Sequence, residues 1–186
     1  MKKRQKVFQE AKEILTKGGV GVLPTDTIYG IVGSALRPKT VERIYKLRKR
    51  NPKKPMIILV GLMGDLKRFG VNIDAKTKRI LKRFWPGKVS IILPCLSKKF
   101  SYLHRGTKTL AFRLPAKKSL RALLRKTGPL VAPSANIEGK RPARTIAEAK
   151  RYFGNKVDFY VDAGQLADRP SKIIRIENGK VFTLRL

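Results

Sequence analysis

Short apolar runs bounded by proline, glycine or polar residues alternate along this chain with longer segments whose apolar residues recur at helical spacing. That rhythm calls for helices packed on a sheet. Runs of four or five apolar residues suit strands, and a membrane span needs about 20. Strand-like runs are expected at 20–23, 56–60 (between Pro55 and Gly61), 89–93, 110–114, 129–132, 157–161, 172–176 and 180–184. The spacing of Val7, Ala11, Ile14 and Leu15 predicts a helix over 4–17, stopped by Gly18-Gly19. Pro38 opens a second, carrying Val41, Ile44, Tyr45 and Leu47. Asp74 caps a third, with Ile80, Leu81 and Phe84 inward, ended by Pro86-Gly87. Residues 117–126 form a basic helix with Leu120, Leu123 and Leu124 inward, and Thr145 with Glu148 makes a capping box for a helix through Phe153. Strict strand–helix alternation fails toward the C-terminus. An α/β (α+β) fold with one large mixed sheet and flanking helices is therefore expected, in place of a purely doubly wound one.

A length of 186 residues suits one domain, 1–186, since no linker, repeat or low-complexity run divides it. The 42% hydrophobic content supports a folded core in spite of the charge. The basic N-terminus runs into an amphipathic segment and carries no signal-peptide core. Cys95 is the only cysteine, so no internal disulfide forms, which suits a reducing cytoplasm. A lone His104 argues against a histidine metal site or a Ser-His-Asp relay, and its neighbours Arg105 and Gly106 read it as a solvated loop residue. No Cys/His cluster stands at zinc spacing, and no Walker or Rossmann glycine loop is present.

Lys and Arg number 44 against 12 Asp and Glu, a formal net charge of +32. Such a field attracts polyanions, RNA and ATP alike. The charges are spread along the whole chain, which fits solvated helix faces of a basic proteome equally well.

Three polar segments interrupt apolar strand ends, where binding sites concentrate. Leu23-Pro24-Thr25-Asp26-Thr27-Ile28-Tyr29-Gly30 sets two hydroxyls and a carboxylate after a strand. They read as turn residues or as the wall of a pocket for a small polar substrate. Lys46 to Pro55 is a cationic helix end feeding a turn; its arginine forks suit phosphate oxygens, and cations there also complement the helix dipole. Val131-Ala132-Pro133-Ser134-Ala135-Asn136 again runs from a strand into small polar residues.

In this order the segments resemble the threonylcarbamoyl-AMP synthase (YrdC-like) family, in its short single-domain form. The resemblance rests on Pro24-Thr25-Asp26-Thr27-Ile28-Tyr29-Gly30, Arg48-Lys49-Arg50 before Pro55-Met56-Ile57, and Phe84-Trp85-Pro86-Gly87. It continues with Thr107 to Pro115, Pro133-Ser134-Ala135-Asn136, and Asp162-Ala163-Gly164 followed by Pro170-Ser171-Lys172-Ile173-Ile174. It implies a twisted mixed sheet around a deep basic cavity. It also implies formation of threonylcarbamoyl-adenylate and pyrophosphate from L-threonine, bicarbonate and ATP, with Mg2+ on the phosphates, for tRNA modification. Partner proteins would complete the transfer, and tRNA or double-stranded RNA would be a further contact.

By matched position, Thr27, Arg113, Ser134 and Ser171 would hold threonine, and Arg48 and Arg50 would serve the reacting phosphate. Arg50, Lys54, Thr109, Asn136 and Arg144 would contact ATP. Arg48, Lys54, Arg144 and Lys172 depart from the family pattern toward cations, which reads as stronger anion binding or as a different substrate. The alternatives are an RNA-binding relative without synthase activity, or carbamoyl-adenylate chemistry like that of hydrogenase-maturation domains.

Overall fold

A computed structural model of the chain describes residues 2–177 and 179–186, with side chains described from residue 7 onward. In chain order the principal elements are α1 (Lys2–Thr16), β1 (Val20–Pro24), β2 (Tyr29–Ser34), α2 (Pro38–Arg48), β3 (Ile58–Leu59) and α3 (Ala75–Phe84). They continue with β4 (Val89–Pro94), α4 (Ser101–His104), β5 (Thr109–Arg113), α5 (Lys118–Thr127) and β6 (Leu130–Val131). The last are α6 (Ile146–Phe153), β7 (Phe159–Tyr160), β8 (Lys172–Glu177) and β9 (Lys180–Arg185).

The strands form one mixed sheet in the order β7-β1-β2-β6-β3-β5-β4-β8-β9. Pairs β1/β7, β3/β5 and β4/β8 are parallel, while β1/β2, β2/β6, β3/β6, β4/β5 and β8/β9 are antiparallel. One apolar layer joins Val22, Ile31, Val41, Ile44, Phe69 and Phe112. A second, smaller layer joins Ala11 and Leu15 of α1 to Leu120, Leu123 and Leu124 of α5, with Leu23 and Leu130 from the sheet. The inward-facing leucines expected on both helices are thus the ones that meet.

Some expected elements change length for local reasons. The strand expected at 56–60 contracts to Ile58–Leu59, although Val60 N still donates to Arg113 O at 2.9 Å and Ile57 O accepts from Ala132 N at 2.8 Å. β6 is held to two residues between Pro129 and Pro133, neither of which has an N–H to give a ladder. At the N-terminus of α6, Thr145 accepts from Glu148 N at 3.2 Å, but the Glu148 carboxylate receives the N–H of Arg144 at 2.6 Å. The capping box therefore closes one residue early.

β2 is the element the periodicity did not announce. Its six residues are all buried, and two of them are glycines. Gly33 is required by packing: a Cβ there would stand 2.5 Å from Thr40 Cγ2 on α2. The missing side chain at Gly33 lets α2 lie close against the strand.

His104 is a correction. It closes α4, is buried at 7% exposure, and accepts the Gly106 N–H on Nδ1 at 3.2 Å. Its backbone carbonyl accepts from Thr107 Oγ1 at 2.7 Å, so it anchors the turn into β5 instead of lying in solvent. The polar neighbours Arg105 and Gly106 described the turn, not the burial of the ring.

Candidate functional site

The site forms where three loops meet one face of the sheet. The β1–β2 turn, the loop after α2 and the loop after β6 enclose a cavity of about 460 Å³ with β5, the start of β8 and the end of β9. That volume lies within the range of small-molecule sites.

The β1–β2 turn is held by its own hydroxyls. Thr25 Oγ1 donates to Ile28 O at 2.7 Å, accepts from Thr27 N at 3.1 Å, and lies 3.0 Å from Thr27 Oγ1. Across the cavity, Arg113 Nη1 donates to Thr27 Oγ1 at 3.3 Å. Behind the turn, Tyr29 Oη donates to Gly164 O at 2.7 Å and accepts the Ala163 N–H at 2.9 Å. This pins the Asp162-Ala163-Gly164 segment to β2.

The loop after β6 is tied to the same strand. Ile31 N donates to Pro133 O at 3.0 Å, and Ala135 N donates to Tyr29 O at 2.9 Å. Ser134 and Asn136 are then gripped by Arg48, the last residue of α2. Arg48 Nε donates to Asn136 O at 3.0 Å, and its Nη2 donates to Asn136 Oδ1 at 3.1 Å and Ser134 Oγ at 3.3 Å. Lys49 follows in the left-handed region at φ 47°, which ends the helix and separates the two arginines. Arg50 turns onto its own loop, donating from Nε to Lys54 O at 3.1 Å and from Nη2 to Pro55 O at 2.9 Å.

Arg48, Arg50, Arg113 and Arg185 all line the cavity. Burial, together with the charge of Arg50, pushes the Arg48 guanidinium down to about 10, which leaves it charged at neutral pH. Burial also lowers Arg113, offset by the charge of Asp26. Arg48 Nη1 and Arg113 Nε are buried without a hydrogen-bond partner. Four arginines around one cavity whose lining includes no carboxylate give it a positive field suited to an anion.

Seven of the expected site residues therefore converge on the cavity: Thr27, Arg48, Arg50, Thr109, Arg113, Ser134 and Ser171. Three stand apart. Asn136 is buried beneath the loop, its amide donating to Ile137 O at 2.8 Å and Lys140 O at 2.7 Å, so it shapes the loop and orients Arg48. Lys54 is exposed and pairs with Glu138 at 3.1 Å. Arg144 lines a neighbouring groove.

Arg185 is the residue that sequence reasoning missed. From the edge strand β9 it donates through Nε and Nη2 to Ser171 O, at 3.2 and 2.7 Å. Ser171 Oγ lies 2.9 Å from Ser90 Oγ on β4, which fixes this wall. No local pattern marks an arginine in an exposed strand as a site residue.

The Sua5/YciO/YrdC family model, described as "Telomere recombination", matches residues 13–186. The chain belongs to this family. A threonylcarbamoyl-AMP synthase from Idiomarina loihiensis is 33% identical over 177 residues, covering 93% of this chain and 95% of that protein. One from Bacillus subtilis is 36% identical over 141 residues, 75% of this chain but 40% of the relative. Among solved structures, Pyrococcus abyssi Sua5 complexed with L-threonine superposes with a TM-score of 0.85 at 27% identity, over 98% of this chain and 54% of that one. Escherichia coli YciO superposes with a TM-score of 0.84 at 25% identity, over 97% of this chain and 89% of that one. The family chain described here thus spans nearly the full length of some relatives and about half of others.

Proposed function

We propose that this protein is an L-threonylcarbamoyladenylate synthase, which makes threonylcarbamoyl-AMP and pyrophosphate from L-threonine, bicarbonate and ATP. The observation that carries the reading is the convergence of Arg48, Arg50, Arg113 and Arg185 on one cavity that also presents Thr27 and Ser134 and whose lining includes no carboxylate. The names borne by full-length relatives agree with it.

In this reading Arg113 grips the threonine carboxylate, since a guanidinium meets a carboxylate with parallel hydrogen bonds. Thr27, Ser134 and Ser171 hold the remainder of the amino acid. The threonine amine attacks the carbon of bicarbonate-derived CO2 and loses a proton to give a carbamate. A carbamate oxygen then attacks the α-phosphorus of ATP. The bond from that phosphorus to the bridging oxygen breaks, and pyrophosphate leaves with the electron pair.

No covalent enzyme nucleophile is needed; the protein supplies position and positive charge. Arg48 and Arg50 stand for the α-phosphate, with Thr109 and the loop shaped by Asn136 beside the nucleotide. Lys54 and Arg144 meet the nucleotide from outside the cavity wall. Magnesium belongs to the substrate, as the MgATP complex: the cavity lining includes no carboxylate, and no group of three or more acidic, His or Cys side chains among the described residues is arranged to hold an ion.

The acceptor chemistry downstream is tRNA modification, with partner proteins for the transfer. No helix among the described residues is long and apolar enough to cross a membrane, and the cytoplasm is the proposed compartment. The +32 charge supports a second reading, an RNA-binding relative without synthase activity.

The test is pyrophosphate release from MgATP, with and without threonine and bicarbonate, beside Arg113→Ala. Release that needs both co-substrates and collapses in the variant establishes the synthase. Threonine-independent or absent release from folded protein, with tight salt-dependent binding of duplex RNA, establishes the second reading.

A further inference from the structure

The turn between α4 and β5 is wound tightly and held from one side. Arg105, Gly106 and Lys108 all lie in the left-handed region, at φ 51°, 88° and 55°. Two non-glycine residues there within four positions store backbone strain that neighbouring contacts must hold, and such strain gathers where a segment is shaped for a task. The turn brings Thr107 and Thr109 to the cavity. Thr107 N donates to His104 O at 2.9 Å, and Thr109 Oγ1 donates to Thr107 Oγ1 at 3.2 Å, so the two threonines are fixed to each other. Arg105 ties this turn to α2. Its Nη2 donates to Glu42 Oε1, and its guanidinium lies over the Tyr45 ring, 4.1 Å from the centroid. Tyr45 Oη donates to Lys54 O at 3.0 Å, the carbonyl that also accepts from Arg50 Nε at 3.1 Å. The ring beneath Arg105 thus fixes the loop on which Arg50 lies. The Arg105 side chain is 15% exposed and that of Glu42 is 46% exposed, so the ring is a firmer hold than the half-solvated ion pair.

We infer that Arg105 is a positioning residue for the nucleotide: through Tyr45 it couples the Thr107–Thr109 wall to the Arg50 loop, and so sets the two sides of the cavity that ATP must meet together. Arg105 does not itself line the cavity. The inference rests on the synthase reading for the identity of the ligand, whereas the coupling follows from the contacts of Arg105 and Tyr45 alone. Threonine lies outside its reach. Thr27 belongs to the β1–β2 turn, Arg113 ends β5 and Ser134 follows β6, so none of the three is carried by the Arg105 turn or by the Arg50 loop. A small displacement of one wall relative to the other therefore weakens ATP binding and leaves the amino-acid end in place.

Arg105→Gly is the decisive variant, because glycine accepts φ 51° without strain while the tie to α2 is lost. Arg105→Lys keeps the charge but not the planar face on the ring, and Glu42→Gln removes the ion pair alone. The experiment titrates MgATP and threonine by calorimetry, follows thermal melting, and measures amide hydrogen exchange in the unliganded chain. Arg105→Gly is expected to weaken MgATP binding about tenfold at the wild-type Tm, with threonine affinity unchanged. Exchange should quicken together at Thr107 N, bonded to His104 O, and at Lys54 N, bonded to Asn51 O on the other segment. Arg105→Lys recovers part of the MgATP loss, and Glu42→Gln loses less than Arg105→Gly. Unchanged MgATP affinity, an equal loss for threonine, or a loss that appears only with a fall in Tm would overturn the inference. So would exchange that quickens at Thr107 and not at Lys54. A wild-type chain that binds no MgATP, while exchange at Lys54 still follows Arg105, keeps the coupling and removes the synthase reading instead.

Discussion

Arg113 Nη2 lies 3.3 Å from Asp26 Oδ1, with the two side chains only 4% and 3% exposed. The other carboxylate oxygen of Asp26 accepts the Ala116 N–H at 2.8 Å. One buried acid thus holds both the guanidinium in the cavity and the chain that leaves β5. Removing one partner of a buried pair leaves an uncompensated charge, so Asp26→Asn is expected to destabilise the fold by about 3 kcal/mol. Urea unfolding measures it, and a threonine titration should weaken in parallel. A loss below about 0.5 kcal/mol would show that Arg113 needs no counter-charge.

The close approach of α2 to β2 gives a second test. Gly33→Ala sets a methyl 2.5 Å from Thr40 Cγ2 and 3.1 Å from Ile44 Cδ1. Overpacking of this kind costs about 2 kcal/mol, which lowers Tm by about 5 °C in a chain of this size. Because α2 carries Arg48, a shift of the helix should also reduce pyrophosphate release beyond what the loss of fold explains.

Asp158 gives the pH dependence. It accepts from Val20 N at 2.7 Å and from Arg43 at 2.7 and 2.9 Å, and Arg43 above all holds its carboxyl below the usual range. A carboxyl depressed in the folded state contributes stability above its unfolded value, near 3.9, and loses it as pH falls through the folded value. Its side chain is 36% exposed, so screening keeps the contribution to about 1 kcal/mol or less. Chemical denaturation should find Asp158→Asn less stable than wild type at pH 7, with the gap closing as pH falls through the depressed folded-state value.

Arg185 tests the wall that sequence reasoning missed. Arg185→Ala removes a cavity cation and both donors to Ser171 O. Loss of a charge-assisted contact of this kind predicts a fall of about 10- to 100-fold in kcat/KM for ATP-dependent pyrophosphate release. Arg185→Lys should recover less than half of that loss on a logarithmic scale, because an ammonium lacks the fork that spans the carbonyl.

The sequence by itself determined the local elements and the chemistry available to them. Helical spacing placed Ala11 and Leu15 inward on α1 and Leu120 and Leu124 inward on α5, and those four share one buried layer. Resemblance to family motifs marked Thr27, Arg48, Arg113 and Ser134 as candidates before any contact among them was visible, whereas the polar segments at strand ends, taken alone, read equally well as turns. Tertiary structure alone decided which of them meet. Arg48 reaches Ser134 and Arg113 reaches Thr27 across 86 residues in each case, contacts set by strand order and not by spacing. The same order, with β8 beside β4 and β9 at the edge, carries Arg185 to the cavity, while Asn136, Lys54 and Arg144 fall behind or outside it. β2 escaped notice for a related reason. Gly33 is needed by the helix lying across it, and a partner distant in space leaves no period in the chain.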